Sequence, residues 1–206
     1  MTKPWPRSTH KVTHFVSFCL PMKRMRPLNY LDKTLAQLAT SERCLFALAD
    51  LRGLLPELSE GALKAVVGRG VRDGMLRRVC HGLYLFSGVS YDAGLLLYWS
   101  AARLRAHCFN YLSLESVLSD AGIISQVPIN WITVMSSGRS QVISCREFGH
   151  IEFIHTKKRP GDLAGELIYD HRCRLWRASV ALALRDMRLT RRNLDLIDWE
   201  AAHESL

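Results

Sequence analysis

The chain has 206 residues, of which 48% are hydrophobic, so a wholly disordered protein is excluded and a packed core is expected. The formal net charge of +9 is concentrated in one half. Residues 1–88 carry 14 basic and 6 acidic side chains, whereas residues 89–206 carry 14 and 13. This asymmetry is typical of a polyanion-binding module joined to a nearly neutral domain; a basic face that only maintains solubility is the plainer alternative.

Cysteine usage and hydropathy indicate a cytoplasmic protein. Six cysteines are spread along the chain without a CxxC pair, as in reduced proteins with buried thiols. No apolar run approaches the roughly 20 residues that span a bilayer. We therefore expect neither a signal peptide nor a membrane span.

Residues 1–27 predict a flexible basic arm. They lack acidic side chains, are interrupted by prolines, and end in a basic cluster of Lys23, Arg24 and Arg26. Such an arm can follow a nucleic-acid backbone or enter a minor groove. A leader without a role, or a segment that partly packs on the body, remains open.

Residues 28–88 predict a winged helix-turn-helix domain. A first helix is expected from Leu31 to Cys44, and a short second helix in the apolar stretch that ends at Pro56. Ser59 is suited to cap a third helix that ends near Gly74, and period-two spacing then predicts a hairpin closed by Leu83–Phe86. Helix, short helix, turn, helix and hairpin are the elements of that DNA-binding fold in order.

The third helix has an apolar face and a basic face. Its inward stripe is Leu63, Val66, Val67 and Val71. Lys64, Arg69 and Arg72 lie outward beside the small residues Ala65 and Gly68, and we expect them to contact phosphates or guanine edges. The hairpin residues Arg77, Arg78 and His81 are expected to contact the DNA backbone. A solvated basic surface is the alternative interpretation.

Residues 89–206 predict a second domain of α/β type. Helices are expected over Asp92–His107 and Ser113–Gly122, strands over Trp131–Met135, Gln141–Cys145 and His150–His155, and further helices over Arg174–Met187 and from Thr190. The predicted fold class is thus α+β, with an amino-terminal winged helix-turn-helix domain and a carboxy-terminal domain whose small antiparallel sheet is flanked by helices.

No enzymatic or cofactor motif is present in the sequence. Its cysteines and histidines lack the paired short spacing of a zinc site, and the SSGRS segment at 136–140 is better suited to a turn than to phosphate binding. A nuclease would need paired carboxylates and a lysine on one strand, whereas Glu152 and Lys157 are five residues apart. We therefore predict a protein that is not an enzyme and needs no metal or other cofactor, with an unrecognised hydrolase as the minor alternative.

Several segments together resemble the AbiEi-type antitoxins of bacterial type IV toxin-antitoxin systems. They are HGLYLFSG after the third helix, YLSLESVLSDAGIIS, Pro128, the strand WITVM and the SSGRS turn. The resemblance covers roughly residues 30–200, and the YLSLESVLSDAGII segment is its most specific part.

This resemblance implies an autorepressor with a second, antitoxic activity. In the family, a winged helix-turn-helix binds inverted repeats upstream of its own operon, and the carboxy-terminal domain counteracts a nucleotidyltransferase-like toxin without forming a stable complex with it. For this chain it implies binding to double-stranded operator DNA as a monomer or weak dimer, and a role in phage defence. A winged helix that binds an acidic protein, or a general regulator without antitoxin activity, remains the alternative.

Overall fold

A computed structural model describes residues 25–125 and 130–205, which form seven α-helices and two β-sheets in an α+β arrangement. Residues 25–88 form three helices and three strands, in the order α1 Pro27–Leu38, β1 Leu45–Ala47, α2 Leu48–Leu54, α3 Glu60–Arg72, β2 Leu76–Cys80 and β3 Leu83–Phe86. The first helix begins earlier than predicted because Pro27 is at its first position, where the missing N–H costs nothing.

The first sheet is antiparallel, with strand order β1-β3-β2, and both of its faces are buried. Alternate residues point to opposite sides: Phe46 and Phe86 pack against the three helices, whereas Leu45 and Leu85 join the core of the rest of the molecule. The two halves of the chain therefore share this sheet as a common layer.

The second half contains the remaining four helices and six strands. They are α4 Leu96–Leu104, β4 Asn110–Leu112, α5 Leu114–Asp120, β5 Trp131–Ser136, β6 Gln141–Ser144, β7 His150–His155, β8 Leu167–Asp170, β9 Leu175–Ala178, α6 Val180–Leu189 and α7 Trp199–Glu204. The strands form one sheet of order β6-β7-β5-β4-β9-β8, with α5 packed between β5 and α6.

The prediction of a small antiparallel sheet is wrong. The sheet has six strands and is mixed, because β5 pairs in parallel with β7, and β4 in parallel with β9. The segment 136–140 does not form a hairpin turn, because β5 and β6 are not neighbours in the sheet. Strand β7 lies between them, so this segment passes over the end of β7 to connect β5 with β6.

The predicted helix over Arg174–Met187 is confirmed only in its second part, from Val180. Its first part is β9, which lies between β4 and β8, and α6 begins only after Ser179, whose Oγ accepts a hydrogen bond from the Leu182 N–H at 3.1 Å. The final helix begins at Trp199 rather than near Thr190. None of the helices in the described part of the chain is long and apolar enough to cross a membrane.

Candidate nucleic-acid interface

Helix α3 presents the predicted basic face to solvent. Ser59 caps the helix, with its Oγ 3.3 Å from the N–H of Ala62, and Leu63, Val66 and Val67 are buried as expected. Packing of that stripe fixes the rotation of the helix. As a result, the side chains of the opposite face are exposed: Lys64, Ala65, Arg69 and Arg72, with Gly68 between them.

The three cations on this face differ in their contacts. Lys64 Nζ lies 2.6 Å from Glu60 Oε1, and its hydrogen bond holds the pKa of the Glu60 carboxyl below its ordinary value. Arg69 and Arg72 form no side-chain hydrogen bond or ion pair with any residue in the described ranges. Their guanidinium groups can therefore meet a polyanion without first breaking an internal contact.

The hairpin tip brings Arg78 and His81 together. Arg78 Nη2 lies 3.2 Å from His81 Nδ1, and its Nε donates to the Cys80 carbonyl at 3.3 Å. The strand register shifts between Arg78 and Cys80, which places an irregularity directly before the turn at His81 and Gly82. Two of the three predicted hairpin residues thus lie at the tip.

Arg77 is exposed but does not lie with the other two hairpin residues. It pairs with Leu85 across the sheet, on the face that packs against the second half. Its guanidinium donates to Glu147 Oε1 at 3.1 Å and to the Tyr91 hydroxyl at 3.2 Å, and lies 4.6 Å from the centroid of the Phe148 ring. Arg77 joins the two halves, so we leave it out of the proposed DNA contacts.

The basic arm is mostly outside the described ranges. Lys23 and Arg24 fall there, whereas Arg26 is exposed at the N-cap position of α1, and its carbonyl accepts a hydrogen bond from the Tyr30 N–H at 3.0 Å. Of the predicted site residues, the structure therefore groups Lys64, Arg69 and Arg72 on one helix face.

The second half contains a buried ionic cluster that the sequence did not reveal. Asp186 on α6 is fully buried and accepts hydrogen bonds from Lys158 Nζ at 2.7 Å, Ser113 Oγ at 2.8 Å and the Tyr111 hydroxyl at 3.1 Å. Burial, and then the Asp186 charge, raise the pKa of Tyr111. These partners are about 30 to 75 residues from Asp186 in sequence, so no local motif could have indicated the cluster.

The Glu152 carboxylate, which was considered for nuclease chemistry, forms an ion pair with Arg192. Arg192 Nη2 lies 2.6 Å from Glu152 Oε1, and its Nε lies 3.5 Å from Glu115 Oε1. The guanidinium carries one positive charge, so it can offset the charge of only one of these two carboxylates. Within residues 25–125 and 130–205, no group of three or more His, Cys, Asp or Glu side chains is placed to hold a metal ion.

In comparisons with known proteins, no family model matches this chain and no curated protein matches it.

Proposed function

We propose that residues 28–88 form a winged helix-turn-helix that binds double-stranded DNA through α3. The observation that carries this proposal is the exposed pair Arg69 and Arg72, unpaired among the described residues, beside the small residue Gly68. A short turn joins α2 to α3, and the hairpin of β2 and β3 follows directly. In DNA-binding proteins of this type, the second helix of such a pair enters the major groove.

The proposed contacts divide by position. We propose that Arg69 and Arg72, with Lys64 on the same face, contact phosphates and base edges. An arginine that binds guanine in a bidentate way discriminates bases by roughly 1–3 kcal/mol. Arg78 and His81 at the hairpin tip, and Arg26 before α1, are proposed to contact the sugar-phosphate backbone. Gly68 has open space around it, which allows close approach of the helix backbone.

The resemblance to AbiEi-type antitoxins extends the proposal to a biological role. On this reading the protein represses its own operon at inverted repeats, as a monomer or weak dimer, and counteracts a nucleotidyltransferase-like toxin without a stable complex. The second half of the chain would supply the antitoxic activity.

Loss of the two free arginines tests DNA binding. We expect the double variant Arg69→Ala and Arg72→Ala to weaken binding to the DNA upstream of its own gene by at least about tenfold, and to make the salt dependence of log K shallower by roughly two units if both contact phosphates. A mobility-shift titration at several salt concentrations measures both effects.

The matched control removes two exposed arginines from the second half, by Arg139→Ala and Arg172→Ala. It lowers the net charge equally and should leave operator affinity nearly unchanged. Equal weakening by both double variants would mean that overall charge, rather than α3, determines binding. Unchanged binding by the α3 variant would remove α3 as the reading helix.

Antitoxicity is tested with the same full-length variants. Because the proposed DNA contacts lie on α3, we expect the Arg69→Ala and Arg72→Ala variant to lose repression in a reporter assay and still rescue growth of cells that express the toxin. Loss of both activities in a stably folded variant would show that antitoxicity depends on DNA binding, which contradicts the division proposed here.

A further inference from the structure

A cavity of about 370 Å³ lies between the end of α1, β1, α2 and α4. Its apolar lining comes from Leu38, Leu45, Phe46 and Leu54. Small-molecule sites are typically concave, of roughly 300–1,000 Å³, and mostly apolar with a few polar groups that orient the ligand. The size and lining of this cavity fit that description.

The polar groups at the cavity are three charged side chains. Asp50 already has two partners within the protein. Its Oδ2 accepts a hydrogen bond from the Ala47 N–H at 2.7 Å and forms an ion pair with Arg103. Arg43 also lines the cavity, and its guanidinium forms no hydrogen bond or ion pair with any residue that the structure describes. With Asp50 neutralising Arg103, the lining carries one uncompensated positive charge.

We propose that this cavity binds a small monocarboxylate with an apolar body, such as a medium-chain fatty acid. The aliphatic chain lies against Leu38, Phe46 and Leu54, and the carboxylate pairs with Arg43. A ligand of charge −1 neutralises the lining, whereas a cationic ligand of the same shape adds to its positive charge. The proposal is independent of DNA binding.

The position of the cavity gives such a ligand contacts on both halves of the chain. Its walls include α2, which precedes α3, and Arg103 on α4, which belongs to the second half. A ligand bound here contacts both and stabilises the folded protein in proportion to its concentration relative to Kd.

The test is a calorimetric titration of the full chain with octanoate, with octylammonium as the matched probe of opposite charge. We expect saturable binding of octanoate at one site, and no binding of octylammonium in the same concentration range. Arg43→Gln should weaken octanoate binding by roughly two- to fivefold, because it removes an ion pair to an exposed guanidinium. Arg43→Lys should retain part of the affinity.

Two further variants separate the site from general effects. Arg52→Gln removes the same charge from an exposed residue of α2 that does not line the cavity, and should leave octanoate binding unchanged. Leu54→Trp should abolish binding by filling the cavity, in a protein whose circular dichroism spectrum matches the parent.

Four outcomes would overturn the proposal. They are absence of saturable octanoate binding, equal binding of octylammonium, equal weakening by Arg52→Gln and Arg43→Gln, and undiminished binding by a folded Leu54→Trp variant.

Discussion

The carboxylate of Asp170 organises the turn between β8 and β9. Its Oδ1 accepts hydrogen bonds from the backbone N–H groups of Arg172 at 2.9 Å and Cys173 at 3.2 Å, and its Oδ2 lies 3.5 Å from Nη2 of Arg177. Partial burial opposes ionisation, but hydrogen bonds from Cys173 and Arg172 and the Arg177 charge outweigh it, so the pKa of Asp170 lies below its ordinary value.

The depressed pKa of Asp170 predicts a pH-dependent contribution to stability. The carboxylate stabilises the folded chain above the unfolded pKa of about 3.9, and this contribution is lost as the pH falls through the lower folded pKa. We expect Asp170→Asn to lower the free energy of unfolding by about 1 kcal/mol at neutral pH, and by progressively less below about pH 4.

Urea denaturation of both proteins across this pH range measures the difference. Asp195→Asn is the control, because it removes the same charge from an exposed carboxylate whose side chain makes no ion pair with a described residue. A deficit for Asp170→Asn that stays constant down to the lowest pH would contradict the assigned role of the charge.

At the scale of elements, two of the three glycines of α3 lie in opposite environments. Gly68 is exposed, and a Cβ added there would meet no atom within 4 Å. Gly70 is buried, and a Cβ there would come within 2.6 Å of Met75 Cε. Gly70 therefore allows close packing of α3 on the start of β2, whereas Gly68 has no packing role that the structure shows.

This contrast predicts different effects of alanine at the two positions. Gly68→Ala should raise the free energy of unfolding by about 0.5–1 kcal/mol, because it removes the entropic cost of glycine in a helix. Gly70→Ala should raise the free energy of unfolding by less, because the Met75 side chain must move to make room for the new methyl group. Chemical denaturation measures both free energies of unfolding. An equal increase for the two variants would show that the Met75 side chain moves at no energetic cost.

Elements with strong local signals could be predicted from the sequence. The bounds of α3 were predictable because Ser59 provides the cap and Gly74, at φ +77°, ends the helix. Strand β7, His150–His155, has its predicted bounds. By contrast, β1 and β4 have three residues each, too few to show an alternating pattern, and were not predicted.

Pairing between distant segments was not predictable from local patterns. The parallel register of β5 with β7 joins Ile132 to Ile151, and β4 reaches β9 across more than 60 residues. The position of Arg77 was not predictable for a related reason. The unbroken apolar run Leu83–Phe86, which pairs with the strand of Arg77, indicates a strand buried on both faces, but it does not indicate which element covers the second face. By contrast, the exposed face of α3 could be predicted, because the helical spacing of its residues is set within α3 and does not depend on pairing with a distant segment.

At the scale of the whole molecule, the first half has a buried cluster of its own against α1, α2 and α3, but the other cluster extends across the boundary near residue 88. Leu45, Val79, Leu83 and Leu85 of the first sheet pack in one continuous cluster with the second half. Ionic and polar contacts also cross the boundary, from Arg77 to Glu147, from Arg103 to Asp50, and from Arg174 Nη2 to the Glu42 carbonyl at 2.7 Å. Residues 89–206 alone would therefore expose apolar surface.

The shared core predicts that the two halves unfold together. Leu85 is fully buried on the shared face, so Leu85→Ala should lower the free energy of unfolding by about 2–5 kcal/mol and shift a single transition. Unfolding is followed by calorimetry, by tryptophan fluorescence and by helix content from circular dichroism, and coincidence of the three transitions indicates that the halves unfold together. Two separate unfolding transitions, of which Leu85→Ala lowers the midpoint of only one, would contradict a common core. Residue 88 would then be the boundary of an independent folding unit.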